Sequence, residues 1–86
     1  METEKLLPLS NLADKSVHSP AELGDLLRHV RKAQQLTQKD IVGLGNTGNR
    51  LIVDIENGKP TVQLQKIFDL LALLGLEMSI KARGQR

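Results

Sequence analysis

Apolar residues recur at helical spacing in the segment that follows residue 18. Positions i, i+3, i+4, i+7 and i+10 of this segment are Leu23, Leu26, Leu27, Val30 and Ala33. This period is typical of an amphipathic helix with one buried face. Ser19 is a suitable N-cap, Pro20 suits the first helical position, and Glu22 can close a capping box. The pattern therefore predicts a first helix that ends near Gln35.

Two shorter helical patterns follow, separated by the glycine-rich residues 45–48. Thr37 can cap the first of them, with Asp40 as its capping-box partner. The second runs from about Asn49 to Asn57 and stops at Gly58, because glycine commonly follows the last helical residue. The inward positions are Ile41 and Leu44 in the first helix and Leu51, Ile52 and Ile55 in the second. Helix, tight turn and helix is the arrangement that lays the second helix in the DNA major groove.

An apolar helix and a single strand are predicted in the last third of the chain. The predicted core stripe of the helix is Leu64, Ile67, Phe68, Leu71 and Leu74. Leu70 and Leu73 lie off that stripe, and a small monomer does not usually leave a second apolar side in water. After Gly75, apolar and polar residues alternate, which predicts a half-buried strand. A second subunit is therefore expected, with a dimer interface of Leu70, Leu73, Leu76, Met78 and Ile80.

The predicted strand needs a partner strand, and the sequence leaves two candidates. One is the same strand of a second copy, which agrees with the second apolar side of the preceding helix; the other is Lys5–Leu9. The predicted organisation is an irregular lead-in at 1–18, a helix-turn-helix domain at 19–75, a dimerisation strand at 76–82 and a basic tail at 83–86. The expected fold class is all-α, with four to five helices and one short C-terminal β-strand that pairs across a dimer.

Composition narrows the class of protein. The 86 residues support one domain at most, and the absence of cysteine excludes disulfides, thiolate metal sites and cysteine nucleophiles. No apolar run approaches the roughly 20 residues of a membrane span, and the acidic N-terminus does not resemble a signal peptide. We therefore expect a cytoplasmic protein with no membrane contact. The net charge is only +2, but the basic residues are concentrated after residue 27, where they can form one basic face.

The residue types that catalysis or metal binding requires do not come together in the sequence. The carboxylates are scattered over several predicted helices, without a histidine or serine nucleophile set. His18 and His29 have no second ligand at metal spacing. Residues 43–48 match Gly-x-Gly-x-x-Gly, but no strand precedes them, so the match is weak. We expect no enzyme activity, no metal and no cofactor.

Three motifs resemble the Xre/Cro family of helix-turn-helix regulators, whose fold is lambda-repressor-like. They are Arg31, the run Leu-Thr-Gln-Lys-Asp-Ile at 36–41, and the run Ile-Val-Asp-Ile-Glu-Asn-Gly-Lys at 52–59. The resemblance covers about residues 20–75. Residues 74–80, Leu-Gly-Leu-Glu-Met-Ser-Ile, look like the HipB-type antitoxin branch, whose dimers pair C-terminal strands. The turn departs from the family pattern, with Asn46 where many relatives carry glycine and Gly48 where they carry a polar cap, which bears on the angle between the motif helices.

The resemblance implies which side chains meet DNA. The base-reading residues would be Asn49, Arg50, Val53 and Asp54. Arg50 can bind guanine O6 and N7, Asn49 can bind adenine N6 and N7, and Val53 can contact a thymine methyl. Asp54 can accept from cytosine N4, but an ion pair with Arg50 is the preferred interpretation. The phosphate-binding candidates are Thr37, Gln38, Lys39, Gly48, Asn57, Lys59, Arg28 and Lys32. For the last two, an ordinary solvent-exposed face is an equal alternative.

The resemblance gives Arg31 and Glu56 a different role. In relatives, residues at these positions form an ion pair that ties the first helix to the end of the recognition helix. We expect the pair to be structural here and to place Arg31 near the phosphates, so loss of Glu56 should damage both folding and binding.

The function implied by the resemblance is a sequence-specific DNA-binding repressor that acts as a homodimer on a palindromic operator. A HipB-like protein would be the antitoxin of a toxin–antitoxin operon, would repress its own promoter and would bind a HipA-type kinase toxin. Two alternatives stay open. One is an interaction module that holds a partner without reading DNA, and the other is a stand-alone phage-type regulator with no toxin.

Overall fold

Four α-helices account for most of the chain that the structure describes. The computed structural model describes residues 14–45 and 48–84. In order, the helices are α1 (Pro20–Ala33), α2 (Gln38–Leu44), α3 (Asn49–Glu56) and α4 (Leu64–Leu73). The predicted all-α class is therefore confirmed, and α2 and α3 form the predicted helix-turn-helix pair. Asn46 in the intervening turn and the segment Lys5–Leu9 lie outside the described residues.

Local capping contacts fix where α1 and α2 begin. The Ser19 hydroxyl accepts a hydrogen bond from the Glu22 backbone N–H at 3.1 Å. The Glu22 carboxylate does not close the predicted capping box, because it accepts from the backbone N–H of His18 instead, at 2.7 Å. At α2 the capping box is complete: Thr37 Oγ1 accepts from Asp40 N–H at 3.0 Å, and the Asp40 carboxylate accepts from Thr37 N–H at 2.8 Å. Both predicted N-caps are confirmed.

Three helices end in the same type of turn, with a left-handed residue just after the helix. These residues are Gln35, Gly58 and Gly75, with φ of 62°, 81° and 79°. At the end of α3, for example, the backbone N–H of Lys59 reaches back to the carbonyl of Asp54 at 2.9 Å. Glycine adopts this conformation without steric cost, which explains why the ends of α3 and α4 were predictable. Gln35 carries no such signal.

The hydrophobic core lies between the four helices. Its buried members are Leu27, Val30, Ile41, Ile52, Ile55, Ile67, Leu70, Leu71 and Leu74. Helix α1 contributes two of them, α2 contributes Ile41, and α3 contributes its inward Ile52 and Ile55. Leu23, Leu26 and Leu51 pack against this core while partly exposed. The predicted inward faces of α1 and α3 are therefore confirmed. In α2 the prediction holds for Ile41 and is wrong for Leu44, which is 60% exposed.

The predicted inward face of α4 is wrong at three positions. Leu64 and Phe68 were expected in the core but are 59% and 40% exposed, whereas Leu70 is 2% exposed. Helix α4 is apolar on more than one side, so its sequence permits two overlapping stripes. The stripe that packs inward is the one that contains Leu70, and this residue is covered by its own chain rather than left for a partner. Leu73 is half-buried and packs towards Gly45 at the end of α2.

Residues 76–82 follow α4 without regular secondary structure. Within residues 48–84 of the single chain no β-strand is formed, so the strand predicted from the alternating pattern is absent there. Met78 and Ile80 are 45% and 93% exposed. Lys81 lies 3.7 Å from the carboxylate of Asp14, which brings the two ends of the described chain together. Strand pairing with a second copy stays a prediction.

Candidate nucleic-acid interface

The first turn of α3 points into solvent. Asn49 and Arg50 are exposed, and the Arg50 side chain keeps 84% of its accessible surface. On the opposite side of the helix Ile52 and Ile55 are buried in the core. Gly48 is the N-cap and supplies no side-chain acceptor to the first N–H groups of α3. A polar, uncapped helix start held outward by an apolar inner face suits contact with a polyanion.

Helix α1 holds α3 from behind by a close backbone approach at Gly24. This residue is buried, and a Cβ placed on it would lie 2.4 Å from the carbonyl oxygen of Ile55 and 2.8 Å from that of Glu56. No side chain fits in that space, because the obstructing atoms are backbone. The position of α3 on the surface is therefore fixed by a helix-to-helix contact that only glycine permits.

One buried carboxylate, that of Glu56, joins α1, α2 and α3. Its Oε2 accepts from Arg31 Nε at 2.6 Å, and its Oε1 accepts from Arg31 Nη2 and Gln38 Nε2, each at 3.0 Å. Arg28 Nε lies 3.4 Å from Oε1. The side chains of Glu56 and Arg31 are 2% and 8% exposed, and Arg31 also donates to the Leu36 carbonyl at 2.7 Å. The ion pair that the family resemblance implied is present in this structure.

The surroundings of Glu56 keep it ionised. Burial by itself raises the pKa of a carboxyl group, and that is the largest single influence on Glu56. The hydrogen bonds and charge of Arg31, together with hydrogen bonds from Gln38 and Arg28, outweigh it and hold the Glu56 pKa below its ordinary value. The group is therefore a fixed negative charge at neutral pH, and it orients its cationic neighbours.

Arg28 is held at the C-terminal end of α3. Its Nη2 donates to the side-chain oxygen of Asn57 at 3.1 Å and lies 3.4 Å from the Glu56 carbonyl oxygen. A cation at this end of a helix is favoured by the helix dipole. Arg28 and Asn57 were phosphate candidates from the sequence, and here each has an intramolecular partner.

Asp54 lies on the exposed side of α3 between two cations. Its Oδ1 is 3.4 Å from Arg50 Nε, and its Oδ2 is 3.6 Å from Lys59 Nζ. The sequence analysis favours an ion pair between Asp54 and Arg50, and the structure contains that pair. Lys59 was expected at the phosphates, and its pairing with Asp54 had no sequence signal.

An open groove brings the remaining candidates together. Its lining includes the end of α1, the start of α2 and the start of α3, with Lys32, Thr37, Gln38, Lys39 and Asn49 among its residues. Four of these five were phosphate candidates and the fifth a base-reading candidate. Residues from three separate helices thus meet at one surface, beside the outward turn of α3.

The chain is similar to known proteins in both sequence and structure. No protein-family model matches the chain. An uncharacterized HTH-type transcriptional regulator of Sinorhizobium fredii, y4mF, is 44% identical over 72 residues, which are 84% of this chain and 95% of that protein. At this identity and coverage the two proteins share a family. The chain belongs to the HTH-type transcriptional regulators.

Solved structures show which helix-turn-helix fold the regulator has. A "HipB-O4 20mer complex" superposes with a TM-score of 0.75 at 23% identity, covering 80% of the regulator and 97% of that chain. A structure of a "HipA-HipB-O2-O3 complex" matches with the same TM-score, identity and coverage. At this identity the likeness establishes the fold, which is that of HipB. The regulator is therefore an HTH-type transcriptional regulator with a HipB fold.

The regulator's predicted contact residues differ in how much of each is available to DNA. Most are exposed: Lys32, Thr37, Lys39, Gly48, Asn49, Arg50, Asn57 and Lys59. Val53 and Asp54 are partly covered, and the Gln38 side chain is used by Glu56. Sequence reasoning missed Gly24, whose only signal was a glycine inside an amphipathic helix pattern. It also missed the bonds from Gln38 and Arg28, which depend on tertiary contacts.

The described part of the regulator contains neither a helix that could span a membrane nor a cluster of metal-binding side chains. Within residues 14–45 and 48–84, no helix has the length and apolar character of a membrane span. The same residues contain no group of three or more histidine, cysteine, aspartate or glutamate side chains placed to hold a metal ion.

Proposed function

We propose that the regulator is a sequence-specific repressor that reads duplex DNA with the exposed face of α3. The observation that carries this proposal is the outward first turn of α3, where Asn49 and Arg50 are exposed on a helix whose other side is buried. Arginine and asparagine side chains recognise guanine and adenine edges in the major groove. Val53 and Asp54 lie one turn further along the same helix.

Phosphate contacts on both sides of α3 would fix its position in the groove. Lys32, Thr37, Gln38 and Lys39 line the groove beside α3. Cationic and hydroxyl side chains, and the backbone N–H groups at a helix start, suit the DNA backbone. The exposed Lys59 at the other end of α3 suits a phosphate there. The Gln38 amide, held by Glu56, orients the start of α2 rather than reaching outward. This division assigns positioning to phosphate contacts and sequence reading to α3.

The proposed repressor acts as a homodimer on a palindromic operator. Dimers of helix-turn-helix proteins bind two half-sites about one helical turn apart, so the operator mirrors the protein's two-fold axis. Exposed Met78 and Ile80, on a segment with an alternating pattern, support a contact in which residues 76–82 of two copies pair. Leu76 is the first residue of this segment and Leu73 precedes it, whereas Leu70 is inside the monomer core.

The proposed biological role is that of an antitoxin which represses its own promoter and binds a HipA-type kinase toxin. The HipB fold supports this, as does the presence of HipA with HipB in one of the matching structures. The role is tested by expressing the regulator together with the protein encoded beside its gene. A kinase-like neighbour that co-elutes with the regulator as one complex is expected. A neighbouring gene unrelated to kinases would leave a stand-alone repressor.

Footprinting tests the DNA-reading part. The full-length protein is added to DNA from upstream of its own gene, with scrambled duplex as competitor. We expect a protected region that contains two symmetric half-sites and that survives excess scrambled DNA. Protection that scrambled DNA removes as readily as the matching sequence would show binding without sequence reading, and no protection at all would leave a module that only binds protein.

A further inference from the structure

A negative charge stands on the surface that is proposed to face a polyanion. The Asp54 carboxylate contacts Arg50 Nε at 3.4 Å and Lys59 Nζ at 3.6 Å. Its side chain is 22% exposed, while those of Arg50 and Lys59 are 84% and 51% exposed. The Lys59 backbone N–H also donates to the Asp54 carbonyl at 2.9 Å, so Lys59 contacts Asp54 through both its backbone and its side chain. One acid therefore touches two of the proposed DNA contacts.

Helix stability does not account for this arrangement. An arginine placed four residues before an acid is the less favourable order for a helical ion pair. Arg50 also lies in the first turn of α3, where the helix dipole disfavours a cation. Exposed ion pairs of this kind contribute little to folding. The pair is better explained by what it does to the position of Arg50.

The contact with Asp54 is made through one nitrogen of the Arg50 guanidinium group. Asp54 is paired with Nε, whereas Nη1 and Nη2 carry the remaining N–H donors of the planar guanidinium group. Two terminal donors in that plane match the O6 and N7 acceptors of guanine. A carboxylate behind Nε restricts the rotation of the group without occupying those donors.

We propose that Asp54 is a positioning residue that raises the sequence specificity of the regulator, an inference that rests on the proposed function. It restrains Arg50 towards one base pair. It also competes with DNA phosphates for Lys59 and repels the backbone of any sequence. The first effect strengthens only the complex with the matching sequence and so widens the difference between the two affinities. The second weakens binding to DNA of every sequence and keeps the non-specific affinity low.

Fluorescence anisotropy with full-length protein tests this assignment. The probes are a duplex from upstream of the regulator's own gene and a scrambled duplex, each titrated over a series of salt concentrations. Asp54→Asn should bind the scrambled duplex more tightly, with a salt slope steeper by about 0.9 because Lys59 gains one phosphate. A bidentate arginine contact discriminates on the order of ten- to a hundredfold, and we expect the variant to lose about tenfold of the preference for its own sequence.

Three further variants separate positioning from a general charge effect. Asp69→Asn makes the same change on α4, where the side chain accepts from Gln65 at 3.0 Å, and should alter neither preference nor slope. Asp54→Glu keeps the charge and should retain most of the preference. In an Arg50→Ala background, Asp54→Asn should no longer change preference at the base pair that Arg50 reads.

The outcomes distinguish this inference from the function it rests on. A wild-type protein with no sequence preference would overturn both. A wild-type preference that Asp54→Asn retains in full would overturn the positioning role alone. The same conclusion would follow if Asp54→Asn lowered preference equally with and without Arg50, because Asp54 would then read a base by itself.

Discussion

Glu56 shows how one residue links the fold of this regulator to its surface. The carboxylate is buried and accepts hydrogen bonds from Arg31 on α1 and Gln38 on α2, while its own helix presents the proposed reading face. Both oxygens of the carboxylate therefore accept hydrogen bonds from within the protein. Removing it leaves Arg31, which is 7% exposed, as a buried cation without its counter-charge.

The substitution Glu56→Gln should therefore cost about 3 to 5 kcal/mol of unfolding free energy, the usual effect of removing one partner of a buried ion pair. Urea unfolding followed by circular dichroism measures it. Gln38→Ala is a milder variant for comparison. It removes one hydrogen-bond donor to the Glu56 carboxylate and should cost only about 1.5 kcal/mol of unfolding free energy. A Glu56→Gln protein as stable as wild type would show that the carboxylate does not hold the helices together.

Acidification should weaken the fold through the same group. The Glu56 pKa is lowered in the folded protein, so its contribution is fully present above the ordinary glutamate pKa of about 4.3. It is lost as the pH falls through the lowered folded value. Unfolding free energies of wild type and Glu56→Gln should converge as the pH falls below about 4. A difference that stays constant from neutral to strongly acidic pH would contradict the role assigned to ionised Glu56.

At the scale of helices, local sequence determined where elements begin and end. Ser19 and Thr37 cap their helices as predicted, and Gly58 and Gly75 follow the ends of α3 and α4, because these signals act within a few residues. The side of a helix that faces inward was predictable for α1 and α3, whose apolar residues form one stripe. It was not predictable for α4, which has apolar residues on several sides.

Close contacts between helices were beyond the sequence, and Gly24 is the main example. Gly24→Ala places a methyl group against backbone carbonyls of α3, so we expect about 1 to 3 kcal/mol of destabilisation from overpacking. Gly43→Ala is the matched control. Gly43 is exposed on α2 with nothing within 4 Å of an added Cβ, so alanine should stabilise the helix by about 0.5 to 1 kcal/mol. Thermal unfolding gives both values, and equal effects would contradict the close packing of α1 on α3.

At the scale of the whole molecule, the C-terminal segment is the part that the single chain leaves least explained. The alternating pattern of residues 76–80 predicts a strand, yet one chain offers it no paired neighbour within the described residues. A strand whose partner lies in another subunit cannot form from local preference, because its hydrogen bonds depend on association. The periodicity of the sequence therefore identified residues 76–80 as a candidate strand. It did not show that a single chain leaves them without regular secondary structure.

Dimer formation is tested at Ile80, which is 93% exposed and so contributes little to the fold of one chain. Ile80→Glu should leave the circular dichroism spectrum unchanged while shifting sedimentation from dimer to monomer. Operator affinity should fall with it, because two half-sites are no longer bound together. Ser79→Glu adds the same charge at the neighbouring position and should disturb association less. A wild-type protein that sediments as a monomer at high concentration would contradict the proposed dimer.

The central claim is that the outward face of α3 reads base pairs, and Arg50→Ala tests it most directly. The side chain is 84% exposed, so its loss should not disturb folding. Binding to the protein's own upstream DNA should weaken by about 1 to 3 kcal/mol, and preference should relax at one base pair of each half-site. If Arg50→Ala instead binds that DNA with wild-type affinity and unchanged preference at every position, α3 does not read the sequence through this residue.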